Sequence, residues 1–211
     1  MEYITSSDFH FKDTAVALGK FEGIHRGHQL LMDEVKKQEL HGLRSVVFTF
    51  DRPTRLTLTG DTEYKQIYTK KERREILEKR GIDILIEHPF TKEFAALTPD
   101  RFIREVLVEK VGAKVIVVGT DFHFGKNRSG SITDLEKLEE ECGYHLIVVE
   151  KLQLNGKDIS STRIRASLEK GAMEEAKALL GRNYSVSGEI LHGNAPVSYT
   201  HLRAHETLRH L

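Results

Sequence analysis

The chain has 211 residues, 32 basic and 32 acidic side chains, and a single cysteine. That length suits one α/β domain with a sizeable core and the beginning of another. Balanced charge argues against a nucleic-acid footprint spread over the surface, and no apolar run approaches the ~20 residues of a membrane span. Cys142 cannot form an intramolecular disulfide, which fits a reducing compartment. Met1–Thr5 lacks a basic-then-apolar leader pattern, so a cytoplasmic location with no nucleic-acid or membrane partner is expected.

Short apolar runs alternate with helical patterns, as in a parallel sheet covered by helices. Thr14–Leu18 reads as a buried strand. It runs into Gly19-Lys-Phe-Glu-Gly-Ile-His-Arg-Gly-His28 and then an amphipathic helix over 28–40, which Gly42 closes. Ser45–Phe50 is a strand broken by Asp51-Arg52-Pro53, and 54–68 is polar and irregular, with a turn at Gly60-Asp61. A helix over 69–80 has a hydroxyl cap and a basic run, Lys70, Lys71, Arg73 and Arg74, which reads as a solvated face. Ile82–Ile86 is a strand. Thr98-Pro99 opens a helix with an apolar stripe of Phe102, Ile103, Val106 and Leu107. Val115–Val118 is a strand leading into Gly119–Gly130. A helix carrying Leu135, Leu138 and Cys142 follows, then a strand at His145–Val149 and a turn at Asn155-Gly156. Ile159–Arg165 enters a helix, Met173–Leu180 is the last helix, and Tyr184–Leu191 alternates as a strand would.

In an open parallel sheet, ligands bind beyond the carboxyl ends of the strands. Gly19–His28, Phe50–Pro53 and Gly119–Gly130 all fall there. The glycines at 19, 23 and 27 suit positive φ or close approach to a ligand. His25 and His28, three apart at a helix start, share one face and suit a polyphosphate. A tight turn with two exposed histidines is the simpler alternative. Ser160, Ser161 and Thr162 suit a helix cap. Arg163 and Arg165 beside them oppose the helix dipole unless a polyanion binds; a capped helix with two solvated arginines is the competing view. Phe122 and Phe124 fit either the core or the wall of a flat ring system.

Taken together, Gly-x-Phe-Glu-Gly-x-His-x-Gly-His, Gly-x-Asp-Phe-x-Phe-Gly and Ile-Ser-Ser-Thr-Arg-Ile-Arg resemble the bacterial bifunctional riboflavin kinase/FMN adenylyltransferase (FAD synthetase) family over about residues 10–195. The resemblance implies a Rossmann-like α/β nucleotidyltransferase fold, with a parallel sheet and helices on both faces, over residues 1–182. It implies that 183–195 begin a β-barrel riboflavin kinase domain. It also implies transfer of AMP from ATP, with Mg²⁺, to FMN. On matching positions, His25, His28, Arg163 and Arg165 would be catalytic. Gly19, Phe21, Gly23, Ser160, Ser161 and Thr162 would bind ATP with them. Phe50, Asp51, Pro53, Asp121, Phe122 and Phe124 would face flavin, and no metal site is implied in the protein itself. Two departures stand out: Glu22 where the family usually has Asp, and Asp51-Arg52-Pro53 in place of a fuller proline-histidine-proline pattern. Val197–Thr207 resembles one reading frame of a sequencing-library adapter, so 196–211 are expected to be a non-native tail and riboflavin kinase activity to be absent from this chain. Another small-molecule nucleotidyltransferase and a non-catalytic nucleotide-binding remnant are the alternatives.

Overall fold

The computed structural model describes residues 1–52 and 65–188. Its centre is a six-stranded, wholly parallel sheet of β1 (Glu2–Ile4), β2 (Thr14–Leu18), β3 (Arg44–Phe50), β4 (Ile84–His88), β5 (Ala113–Gly119) and β6 (His145–Val149), in the order β1-β4-β3-β2-β5-β6. Strands buried on both faces read as continuous apolar runs, and all five residues of β2 are buried. The helices are α1 (Arg26–Lys37), α2 (Lys70–Lys79), α3 (Lys92–Ala95), α4 (Pro99–Arg101) running into a π-helical stretch (Phe102–Lys110), α5 (Ile132–Cys142), α6 (Ser161–Glu169) and α7 (Met173–Leu180).

Period-two alternation divides the core. Val16, Leu18, Val46, Phe48, Ile84, Ile86, Ile116 and Val118 face Phe102, Ile103, Val106, Leu107 and Leu135. Ala15, Ala17, Val47, Leu85, Val115 and Val117 face Leu31, Met32 and Val35 of α1 and Leu77 of α2. Helices therefore cover both faces, as expected. A third, smaller core joins Ile67 and Tyr68 to Ile159 and Ile164 and to Leu179 and Leu180 of α7. Among the described residues, no helix is long and apolar enough to cross a membrane.

Several expectations need correction. Helix α1 starts at Arg26 rather than His28, because the His25 ring accepts the His28 N–H and makes residue 25 the cap. Arg73 is not on a solvated face. Glu87 is a carboxylate in the middle of a buried strand, and Arg73 pairs with it while the Tyr3 hydroxyl donates to its other oxygen at 2.6 Å. Residues 184–188 form no strand. The Tyr184 hydroxyl donates instead to the Ile67 carbonyl at 3.1 Å, and the Ser187 N–H to the Glu72 carboxylate at 3.0 Å. No barrel fragment is present among the described residues. The rest of that segment (189–195), the 196–211 tail, Pro53 and the Gly60-Asp61 turn lie outside them.

Candidate active site

The chain runs from β2 to β3 to β4 on one side of the sheet and places β5 on the other side of β2. This reversal opens a crevice beyond the carboxyl ends of β2 and β5. Residues 19–25 turn there. None of Gly19, Gly23 or Gly27 has a positive φ, contrary to one of the two roles suggested for them; Phe21 (47°) and Ile24 (44°) carry the left-handed backbone instead. The glycines serve close packing. A Cβ on Gly23 would sit 3.1 Å from Ile67 Cδ1 and 3.4 Å from Ile164 Cδ1, and one on Gly19 would sit 3.1 Å from the Phe21 ring. A β-branched residue at positive φ costs on the order of 1–3 kcal/mol and persists only where its surroundings over-determine it.

Those surroundings are specific. The Gln29 amide donates to the carbonyls of Ile24 (2.9 Å) and Leu180 (2.7 Å). Arg182 donates from Nη1 to Ile24 O and from Nη2 to Gly23 O, both at 2.8 Å. Ile24 itself is fully buried.

The turn delivers His25 and His28 as a stacked pair, ring centroids 3.6 Å apart and planes within 15°. Phe21 backs the His28 ring at 5.0 Å. His25 Nδ1 accepts the His28 N–H at 3.3 Å, which leaves the ring's proton on Nε2 in the neutral form. Burial, and then the charge of Arg182, lower the His25 pKa to about 4. Burial, and then His25, push His28 well below the ordinary imidazole value. Both rings are neutral near pH 7, so the pair offers N–H donors rather than cations. The exposed-histidine alternative does not hold, since His25 is 7% exposed.

The hydroxyl-and-arginine segment meets this turn. Arg165 Nη1 lies 2.7 Å from the Glu22 carboxylate, closing 143 residues of sequence separation. Ser160 caps α6 by accepting the Arg163 N–H at 3.3 Å, and the Thr162 hydroxyl lies 3.4 Å from Arg165. Ser161 is half-buried in the first turn of α6. Arg163 is not brought to the histidines. Two positions from Arg165, it points round the helix to Glu175 (2.8 Å) and the carbonyls of Leu154 (3.0 Å) and Lys157 (3.2 Å). There it anchors the hairpin of β7 (Gln153–Leu154) and β8 (Lys157–Asp158).

A small pocket between the ends of β2 and β3 is walled by Lys20, Glu22, Thr49, Phe50, Asp51 and Arg73. The Gly19–His28 and Phe50–Asp51 segments therefore share a cavity. For Asp51, burial acts to raise the pKa, but hydrogen bonds from Arg52 and the Phe90 N–H, with the charges of Arg52 and Lys70, outweigh it and hold the carboxyl below its usual value. The Phe50 ring stacks edgewise on Phe90 (4.8 Å) and Phe94 (5.6 Å), neither of which the sequence reading placed at the site. Across the crevice, Phe122 is half-buried and stacks on Phe124 at 5.5 Å. Phe124 packs on Phe102 at 5.3 Å and belongs to the core. Asp121 is exposed, 3.2 Å from Lys151.

The FAD synthetase family model matches residues 8–163, which include both the imidazole turn and the start of α6. The chain belongs to the FAD synthetase family. Among proteins similar to it is a bifunctional riboflavin kinase/FMN adenylyltransferase from Buchnera aphidicola subsp. Schizaphis graminum, 32% identical over 86% of this chain and 59% of that one. Another of the same name, from Listeria monocytogenes, is 32% identical over 90% of this chain and 61% of that one. The chain thus spans about three fifths of the length of these relatives. The crystal structure of a protein named as a macrolide-efflux protein from Streptococcus pneumoniae superposes with a TM-score of 0.76 at 29% identity, covering 86% of this chain and 72% of that one.

Arg182, like Gln29, Phe90 and Phe94, helps form the site of this FAD synthetase family member and was missed by sequence reasoning. The signal was present. An arginine just past the last helix, following Gly181, invites the question of which carbonyls it serves.

Proposed function

We propose that the chain is an FMN adenylyltransferase: it transfers AMP from ATP to FMN, giving FAD and pyrophosphate. The observation that carries this reading is the meeting of the two phosphate-type segments, Glu22 against Arg165, beside a stacked imidazole pair at the amino end of α1. Family membership narrows the substrates to those in the relatives' names. Those names couple the activity to a riboflavin kinase, and the reading assigns only adenylyl transfer to the present chain.

A phosphate oxygen of FMN attacks the α-phosphorus of ATP. The new P–O bond forms as the bond to the β-phosphate oxygen breaks, and pyrophosphate leaves with that electron pair. The nucleophile is already ionised, since a phosphate monoester's second pKa is about 6. No protein nucleophile is needed, and the protein's task is positioning and charge stabilisation. His25 and His28 donate N–H groups to the triphosphate, together with the free N–H groups opening α1. Arg165 exchanges its contact with Glu22 for phosphate oxygens, and Thr162 lies beside it. Arg163 supports α6 rather than touching substrate. Phe50 and Phe122, with Phe90, Phe94 and Phe124 behind them, offer aromatic surface for the isoalloxazine ring. A divalent ion such as Mg²⁺, bound with ATP, would supply charge neutralisation on the phosphates that His25, His28 and Arg165 hold.

The test is direct: incubate the chain with ATP, Mg²⁺ and FMN and follow FAD and pyrophosphate by chromatography. Formation of both in equal amounts supports the reading; no FAD from folded protein refutes it.

A further inference from the structure

We propose that Arg182 is a positioning residue of the nucleotide site, holding the Gly23–Ile24 turn in its left-handed form and so aiming His25 and His28. The inference rests on the adenylyltransferase reading for its kinetic consequence, but its structural part stands alone. Arg182 lies beyond the last helix, 158 residues from Ile24, yet its guanidinium donates to Ile24 O and Gly23 O at 2.8 Å and to Leu180 O at 3.3 Å. Its face covers the Tyr68 ring at 5.1 Å, which sets the fork's plane. Both terminal nitrogens are engaged with carbonyls, so the residue shapes the site instead of grasping phosphate.

The geometry explains why an arginine is suited to this place. Ile24 is fully buried at φ 44°, a conformation the chain leaves unless something holds its carbonyls. Gln29 supplies one donor to Ile24 O, and Arg182 supplies a second there and one to the adjacent Gly23 O. A planar fork can satisfy two neighbouring carbonyls in fixed register, whereas a lysine ammonium imposes no such register. The very next residue is His25, the cap of α1, whose ring stacks on His28. Relaxing residue 24 therefore rotates the cap and separates the stack. The nucleotide site extends in this way into the segment after α7, where Tyr184 also bonds to the Ile67 carbonyl.

The experiment compares Arg182→Met, Arg182→Lys and, as a remote control, Tyr144→Phe, which loses a buried hydroxyl bond to the Leu135 carbonyl. Imidazole ¹H–¹⁵N signals of His25 and His28 are recorded without ligand, and KM for ATP and kcat are measured below the melting temperature of each variant. Arg182→Met should shift both imidazole signals and lower kcat/KM for ATP at least tenfold, Arg182→Lys should recover part of the loss, and Tyr144→Phe should leave both readouts unchanged. Native imidazole signals and kinetics in Arg182→Met overturn the inference, as does an equal effect of Tyr144→Phe. If Arg182→Met does not fold, Arg182→Lys against wild type decides on the same two readouts. Wild-type protein that makes no FAD overturns the functional reading alone, and the imidazole signals still decide the role of Arg182.

Discussion

Replacing His25 with asparagine tests the buried imidazole pair quantitatively. Asparagine keeps a side-chain acceptor for the His28 N–H at the cap but cannot titrate. In the native protein His25 titrates near about 4 rather than 6.5, because burial and then Arg182 oppose its protonation. The unfolded chain takes up that proton at the ordinary value. Between pH 6.5 and 4 the unfolded state therefore binds more protons, and stability falls as the pH falls. His25's contribution is complete above pH 6.5 and is lost through pH 4. Between pH 7 and pH 5 the loss carried by this one ring is about 2 kcal/mol. His28 is shifted in the same direction and steepens the decline. Urea unfolding followed by circular dichroism at pH 7 and pH 5 reads the effect. Wild type should lose about 2 kcal/mol more than His25→Asn between the two pH values. Equal losses would refute the claim that His25 is held neutral by its surroundings.

Three further outcomes follow from the same geometry. His28→Ala should lower FAD formation by ~10²–10³ while leaving the circular dichroism spectrum unchanged; wild-type turnover in this variant would remove the imidazoles from the chemistry. Arg165→Ala should raise KM for ATP and lower turnover, whereas Arg163→Ala should cost about 1–2 kcal/mol of thermal stability, through its bonds to Glu175 and the hairpin, with turnover largely kept. Identical kinetic losses in the two variants would contradict their separation on α6. Glu87→Gln leaves Arg73 buried without its counter-charge and should lower stability by about 3–5 kcal/mol, read by thermal or urea unfolding. A loss below about 1 kcal/mol, typical of exposed pairs, would mean the pair is solvated.

Much of the scaffold was readable because local and global preferences agree. The β-branched runs of β3, β4 and β5 satisfy both strand propensity and two-sided burial. Thr69 and Thr98-Pro99 mark helix starts by chemistry that acts within four residues. Asn155 (φ 55°) and Gly156 (φ 70°) make the tight hairpin turn their dipeptide signals. What escaped depends on distant partners. Strand β1 has three residues and exists only by pairing with β4. Arg73 alternates with glutamates like a surface residue, and only the lone carboxylate inside Ile84-Leu-Ile-Glu-His88 hints that it turns inward. The site shows the same division. His25 and His28 are legible from their spacing, but the positive φ of Phe21 and Ile24 is not, and the side chains that bond to the Gly23 and Ile24 carbonyls, Gln29 and Arg182, lie outside the turn. The alternation at Tyr184, Val186 and Gly188 suggests a strand, yet residues 184–188 form none, since alternation describes a strand only where a neighbouring strand accepts it.

The pairing of Glu2 with Ile84 bears on how the molecule is made. A ribosome adding about 5–20 residues per second needs roughly 4–16 s to carry synthesis from one to the other. Through that interval β1 has no docking edge, while β2 and β3 can already associate around α1. The outermost strand on that flank is thus delivered early and seated late.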